Sequence, residues 1–285
     1  MSEKILAITG PTSGIGKYTV TELAQDYDII ILLCRNFAKG NTVKNQILSE
    51  YPNKQVAIIK CDLSDLASVM KAATELMTEY KYVDCLINNA GVFSLTRQRT
   101  EDGYELMFGT NYLGHFLLTH LLFDLIMKSA DKQIIIVSSG AYKFTSVGNR
   151  NFEYPLTYNP MKAYARSKLA TLYFMQELNE QFSKMGLNVA AIHPGAVSTN
   201  LGKTKYNKTI GDAIYKLLDP LFISPKEGAL STIKVAREGR LYRGEYVYKG
   251  KRKAIESYGL NYFDRKRMIR ETLEALQLNQ FMSRT

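Results

Sequence analysis

Short β-branched and apolar runs alternate along the chain with longer stretches whose apolar positions recur every three or four residues. The continuous runs predict strands over Lys4–Thr9, Asp28–Cys34, Gln55–Lys60, Val83–Asn88, Gln133–Ser138 and Asn188–His193, with Glu245–Tyr248 as a short seventh. The helical spacing predicts helices over Gly14–Asp26, Asn41–Glu50, Asp65–Tyr80, Glu101–Ser129, Met161–Lys184, Lys226–Glu238 and Asp264–Met282. In Asp65–Tyr80, for example, Leu66, Val69, Met70, Ala73, Leu76 and Met77 fall on one side. The Glu101–Ser129 helix is expected to bend near Gly109 and Gly114. Strands that are apolar throughout are buried on both faces, so the fold class is α/β: a doubly wound parallel sheet of seven strands with helices on both faces. No repeat, low-complexity tract or Pro/Gly linker divides the chain, which reads as a single domain over 1–285. The polar, Lys- and Asn-bearing stretch 196–225 follows a sheet strand directly, and such a stretch is expected to be a lid loop.

At 285 residues, 46% hydrophobic and 22% charged, the composition excludes long disorder and fibrous architecture. Cys34, Cys61 and Cys85 are too few and too scattered for a disulfide framework or a zinc site, and each adjoins an apolar run. Reduced cysteines in buried strands suit a cytoplasmic protein. His115 and His120 are five positions apart and do not share a helix face, so no metal site is expected. The opening MSEKILAITG has no signal-peptide character. The longest apolar stretch, Tyr112–Met127, is interrupted by Gly114, His115, Thr119, His120 and Asp124 and is too short and polar to span a bilayer.

Lysine and arginine number 37 against 27 acidic residues, a net charge of +10. The excess is local: Arg237 to Arg270 holds eleven basic and four acidic residues. This basic end is open to three readings. A solvated surface is the default, peripheral contact with an anionic membrane is second, and nucleic acid is third because no recognised module accompanies the charge. Met268, Ile269, Leu273, Leu276 and Phe281 on the last helix are expected to pack on the body or on a partner subunit. Part of Leu113–Met127 is open to pairing with a second copy across a two-fold axis.

Thr9-Gly10-Pro11-Thr12-Ser13-Gly14-Ile15-Gly16 joins the first strand to the first helix. Glycines let backbone approach a phosphate, and the helix start offers unpaired N–H groups and a positive dipole end. A glycine cluster alone also fits a purely structural turn; the strand–turn–helix context is what favours a phosphate site.

The spacing Gly-x-x-x-Gly-x-Gly, together with Asn88-Asn89-Ala90-Gly91, Asn111, Ser138-Ser139, Tyr164-x-x-x-Lys168 and Pro194-Gly195, resembles the short-chain dehydrogenase/reductase family over roughly residues 4 to 200. Gly-Ile-Gly-Lys, Cys-Arg-Asn, Asn-Tyr-Leu-Gly-His-Phe and Ala-Tyr-x-x-Ser-Lys-Leu-Ala are most similar to its retinol dehydrogenase and carbonyl reductase-like branch. The resemblance implies a Rossmann-type fold and an oxidoreductase acting on a small-molecule carbonyl or alcohol. It implies a nicotinamide dinucleotide held by Thr9, Gly10, Ser13, Gly14, Ile15 and Gly16, with Asp62 and Leu63 flanking the adenine. Asn89, Ala90 and Gly91 then line the adenosine side, and Pro194, Gly195, Val197 and Thr199 lie toward the carboxamide. The second strand ends Leu33-Cys34-Arg35-Asn36 with no carboxylate for a ribose diol, so NADP(H) is favoured over NAD(H), with Arg35 on the 2′-phosphate and Lys39 adding charge. Arg35 also reads as a plain surface cation.

Tyr164 and Lys168, four apart on a helix, share a face. An ammonium beside a phenol favours the phenolate and brings a group with an ordinary pKa of about 10 toward working pH. In isolation such a pair is commonplace; its place between the fifth strand and Pro194-Gly195 makes it a catalytic candidate. By resemblance Tyr164 is the acid/base, Lys168 its tuner and ribose ligand, and Ser139 the donor to the substrate oxygen, with Ser138 as competitor. Asn111 extends a proton relay through Lys168 and has a carbonyl to spare for water; a solvent-facing Asn is the bland reading. The segment Gly140–Lys162, with Phe144, Phe152, Tyr154, Pro155 and Tyr158, suggests one wall of an apolar substrate pocket. The alternative is a non-catalytic cofactor-binding scaffold on the same fold.

Overall fold

The computed structural model describes residues 3–145, 158–195 and 223–282. Five-residue β1 (Ile5–Thr9) is buried at every position and opens the sheet. It is followed by α1 (Gly14–Leu23), β2 (Ile29–Cys34), α2 (Phe37–Glu50), β3 (Gln55–Lys60), α3 (Leu66–Glu79) and β4 (Cys85–Asn88). The middle of the chain holds α4 (Leu106–Phe108), a π-helical turn (Gly109–Leu113), α5 (Gly114–Lys128), β5 (Gln133–Val137), α6 (Pro160–Phe182) and β6 (Asn188–His193). Then come α7 (Pro225–Arg237), β7 (Tyr246–Tyr248), β8 (Lys251–Arg252) and α8 (Tyr262–Ala275).

The sheet has the order β3-β2-β1-β4-β5-β6-β7-β8, parallel except where β8 returns antiparallel along β7. The direction of winding reverses between β1 and β4, and in such sheets ligands bind beyond the strand ends at that point. One apolar layer packs α1, α2 and α7 on Leu6, Ile8, Ile30, Leu32, Ile87 and Ile192. The other packs α3, α5, α6 and α8 on Ala7, Ile31, Ile134, Ile136 and Ala191. Alternate residues of each strand therefore feed opposite layers, as a doubly wound single domain requires.

Three expectations are corrected, and a fourth lies mostly outside the described residues. The described sheet has eight strands, not seven: Lys249 (φ 50) and Gly250 (φ 68) form a two-residue turn with both φ positive, which reverses the chain onto the edge. The helix expected from Glu101 starts at Leu106, because Thr100–Tyr104 closes a turn with Gly103 at φ 86 and Glu105 then caps the next segment through Met107 and Phe108 N–H. The C-terminal helix expected over 264–282 runs Tyr262–Ala275, after which the chain turns and lays Phe281 on Phe116, Phe174 and Phe182. Of the lid expected over 196–225, residues 196–222 lie outside the described residues, and Ser224 already caps α7 with a reciprocal Ser224–Glu227 capping box.

The C-terminal segment also packs near part of the stretch read as open to a second copy: Phe281 lies against Phe116 of α5, and the Tyr112 and Thr272 hydroxyls hydrogen-bond at 2.8 Å. Nor is the basic end simply solvated. Arg265 pairs with Glu177 at 3.4 Å and with Glu180, and Lys266 reaches Glu177 at 2.7 Å and Glu180 at 2.8 Å. Glu177 is buried, so two of the eleven clustered cations tie α8 to α6. No helix among the described residues is long and apolar enough to cross a membrane.

Candidate active site

The residues singled out from the sequence collect at the carboxyl ends of β1 to β6. The turn after β1 is built for backbone approach. Gly10 and Gly14 have φ of 63° and 53°. A methyl on Gly16 would collide with the Gly10 carbonyl and the Asn89 amide, so α1 sits directly against the turn. Ser13 caps α1 without spending its side chain on the helix N–H groups, and the first backbone bond comes from Lys17 N. The Gly14, Ile15 and Gly16 N–H groups thus remain available at the positive end of the helix dipole, a donor set that fits a pyrophosphate.

Asn89 and Thr9 brace this turn. Asn89 Nδ2 donates to the carbonyls of Thr9 (2.9 Å) and Gly10 (3.2 Å), while Thr9 Oγ1 accepts from the N–H of Asn89 and Ala90. With its lone pairs so engaged, the Thr9 hydroxyl donates to His115 Nε2 at 2.8 Å. His115 Nδ1–H then donates to the Asn111 carbonyl at 3.0 Å. Burial, and secondarily the charge of Lys168, lowers the His115 pKa to about 4, so the ring is neutral and bridges the turn to the π-helical segment. The sequence reading set His115 aside as a metal ligand and missed this bridge. Its signal was the four-residue spacing from Asn111.

Arg35, at the end of β2, is mostly exposed, with its guanidinium 4.0 Å from Asp62 at the end of β3. Asp62 Oδ1 accepts from Ser64 N and Oγ. Leu63 is buried, its carbonyl pressed beneath Gly114.

Ser138 and Ser139 do different things. Ser138 is buried, donates to the Lys168 carbonyl at 3.0 Å and accepts from Thr171 Oγ1 at 3.0 Å, joining β5 to α6. Ser139 is half-buried; its Oγ accepts from Ala141 N at 3.1 Å and caps the following turn. Among the described residues no acceptor takes its hydroxyl hydrogen, which leaves that hydrogen available to a ligand.

Lys168 is buried, and its Nζ donates to the Val137 carbonyl at 2.8 Å. Burial lowers its pKa to about 8. The ammonium lies 5.8 Å from the centroid of the half-buried Tyr164 ring, against which Phe93 packs edge-on at 5.5 Å. Asn111 departs from the expected spare carbonyl: its side-chain oxygen accepts from Val92 N at 2.7 Å, and its Nδ2 donates to Val92 O and Ser167 Oγ. A methyl on Gly91 would stand 3.6 Å from both Asn111 Oδ1 and Lys168 Nζ, so Gly91, Asn111 and Lys168 converge.

Gly195 has φ 95 and donates its N–H to His193 Nδ1 at 3.1 Å. Val197 and Thr199 lie outside the described residues, as do Phe152, Tyr154 and Pro155. Of the expected aromatic wall, Phe144 is exposed, and the Tyr158 hydroxyl donates to buried Glu105 at 3.1 Å.

The sequence pattern of the short chain dehydrogenase family matches residues 4–209. The chain belongs to that family and is an oxidoreductase of the short-chain dehydrogenase type. It is 36% identical to retinol dehydrogenase 14 of Mus musculus over 247 residues, covering 83% of this chain and 74% of that one. It is likewise 36% identical to retinol dehydrogenase 11 of Homo sapiens over 233 residues, 82% of this chain and 72% of that one. Among solved structures, an uncharacterized protein from Mycobacterium Paratuberculosis superposes with a TM-score of 0.76 at 26% identity, covering 98% and 95% of the two chains. An NADPH-bound carbonyl reductase from chicken fatty liver shares the fold, with a TM-score of 0.64 at 23% identity over 90% of this chain and all of that one.

Proposed function

We propose that the protein transfers a hydride between NADP(H) and the carbonyl or alcohol carbon of an apolar small molecule, with Tyr164 as the acid/base. The observation that carries this reading is that Lys168 lies beside Gly91, Asn111 and the Tyr164 ring and is tied to the strand that leads into Ser139, in a sheet whose first turn fits a pyrophosphate.

A reduced nicotinamide, when bound, supplies the hydride. Ser139 holds the substrate oxygen with its unclaimed hydrogen, and Tyr164 hands that oxygen a proton as the carbon accepts the hydride. The C=O double bond becomes a C–O–H single bond, and Lys168 stabilises the phenolate left on Tyr164. Asn111 holds the Val92 segment against Ser167 of α6 so that this wall does not drift. Arg35 supports NADP(H): no carboxylate shares its strand end, and a planar guanidinium matches a 2′-phosphate. The Phe93 ring on Tyr164 supports an apolar substrate, as do relatives named for retinol, an apolar alcohol.

The test is turnover of a panel of aldehydes, ketones and alcohols with NADP(H) and NAD(H), wild type against Tyr164→Phe. Turnover that the phenylalanine removes, with cofactor binding intact, supports the reading. Equal turnover in both proteins refutes the role of Tyr164, and none in either leaves the scaffold alternative.

A further inference from the structure

The parallel ladder joining β5 to β6 ends where Ser138 N donates to the Ile192 carbonyl at 2.8 Å. One residue further, the tie between the two strand ends is made by a side chain. His193 Nδ1 accepts from Gly140 N at 3.2 Å and from Gly195 N at 3.1 Å. Gly140 directly follows Ser139, and Gly195 opens the segment after Pro194.

We infer that His193 is a positioning residue, a clamp that fixes the Ser139 turn against the Pro194-Gly195 turn and so sets substrate oxygen against cofactor; this rests on the function proposed above.

The chemistry of the clamp is specific. Two N–H donors need an acceptor, so Nδ1 carries no proton and Nε2 does. The ring is held flat against Tyr248, with centroids 4.5 Å apart and planes 18° from parallel, and lies parallel to the more distant Tyr246 ring. A ring braced by stacking is a stiff acceptor. Both partners are glycines for steric reasons: a methyl on Gly140 would stand 2.7 Å from Nε2, and Gly195 has a φ of 95°. Burial and the charges of Lys253 and Lys143 hold the ring neutral, as the double acceptor demands. The residue touches no substrate. It acts through the two turns it joins, each of which carries a residue of the proposed site.

Replacing the ring separates the acceptor from the bulk. His193→Asn puts an amide oxygen near the Nδ1 position; His193→Phe keeps the ring and removes the acceptor. Three quantities are read on each purified protein: hydrogen exchange of the Gly140 and Gly195 amides, NADPH affinity by fluorescence titration, and kcat against KM. With His193→Asn, amide protection and NADPH affinity are expected to stay near wild type and kcat to fall less than about fivefold. With His193→Phe, both amides should exchange at least about tenfold faster and kcat should fall about a hundredfold, more than KM rises, as an ångström-scale misplacement does. Wild-type exchange or kcat in His193→Phe overturns the clamp, as does equal loss in both variants. Should His193→Phe not fold, Gly140→Ala pushes the ring off its partners and decides the matter. Loss of Gly195 amide protection supports the clamp, and unchanged protection overturns it. If the wild type turns over nothing in the panel, the proposed function fails, while amide exchange and NADPH affinity still judge the clamp.

Discussion

Lys168 Nζ donates to the carbonyl of Val137 at 2.8 Å, which ties the ammonium of α6 to the strand that delivers Ser139 two residues later. The bond fixes Lys168 in a buried position that no carboxylate among the described residues neutralises. The result is a lysine whose pKa is lowered to about 8.

A depressed lysine makes stability depend on pH in one direction. Below pH 8 the folded and unfolded chains both carry the proton, and the fold bears the full cost of a buried cation. Between about pH 8 and the ordinary lysine value of about 10.4, the folded chain has released a proton that the unfolded chain still holds, so stability rises with pH. The gap of roughly 2.5 units corresponds to about 3 kcal/mol, less about 1 for the orphaned Val137 carbonyl in a variant. Lys168→Met, without cofactor, is expected to melt higher than wild type at pH 7, with the difference shrinking toward pH 10, and to lose turnover. A scan of melting temperature against pH for both proteins checks the sign.

The adjacent serines should separate cleanly. Ser138→Ala breaks a buried link between β5 and α6 and is expected to cost about 1–2 kcal/mol of stability in chemical denaturation. Ser139→Ala should leave stability within about 0.5 kcal/mol and lower kcat by about 10²–10³, as loss of an oxyanion donor does.

The proposed preference for NADP(H) puts Arg35 to the test. Arg35→Ala is expected to lower kcat/KM with NADPH by about ten- to a hundredfold, the worth of a charged hydrogen bond. The value with NADH should move less than about threefold. Parallel steady-state kinetics with the two cofactors reads the difference.

The ion pairs made by α8 are unequal. Arg265→Met leaves buried Glu177 with Lys266 as its one described cation, beside the Gln181 amide, and should cost about 2–3 kcal/mol by denaturant unfolding. Arg270→Ala removes an exposed helix pair with Glu274, 3.9 Å apart, and should cost under about 0.5 kcal/mol.

How much of this the sequence carried follows from the kind of signal each feature leaves. β1, β2, β4, β5 and β6 are apolar because both faces are buried, and that pattern is visible in any window; edge strand β3 is only partly buried but still carries an apolar run. β8 left none: Lys251 and Arg252 are exposed, and only the Lys249-Gly250 turn places them on the sheet. The helix start at Leu106 was hidden because Tyr104 continues the apolar rhythm while the backbone has turned at Gly103. In the proposed site, Ser139, Tyr164 and Lys168 are candidates that spacing and resemblance already name. The choice between Ser138 and Ser139 was not legible from neighbouring positions alone; burial separates them. His115 and His193 escaped because each joins a near partner, Asn111 or Gly195, to one far along the chain, the Thr9 hydroxyl or the Gly140 N–H, and the far partner leaves no mark on the local pattern. The charge of Arg265 and Lys266 was visible, but their acidic partners stand more than eighty residues earlier.

Helix α6 carries Tyr164 and Lys168 near one end and Glu177 and Glu180 roughly 20 Å further along, at about 1.5 Å per residue. Its near end is pinned to β5, and its far end is gripped by the chain's own tail. A rod secured twice from within a single polypeptide needs no neighbour to keep it straight. Rate per molecule should therefore hold constant as the protein is diluted through the nanomolar range, a frugality that a shared brace would not allow.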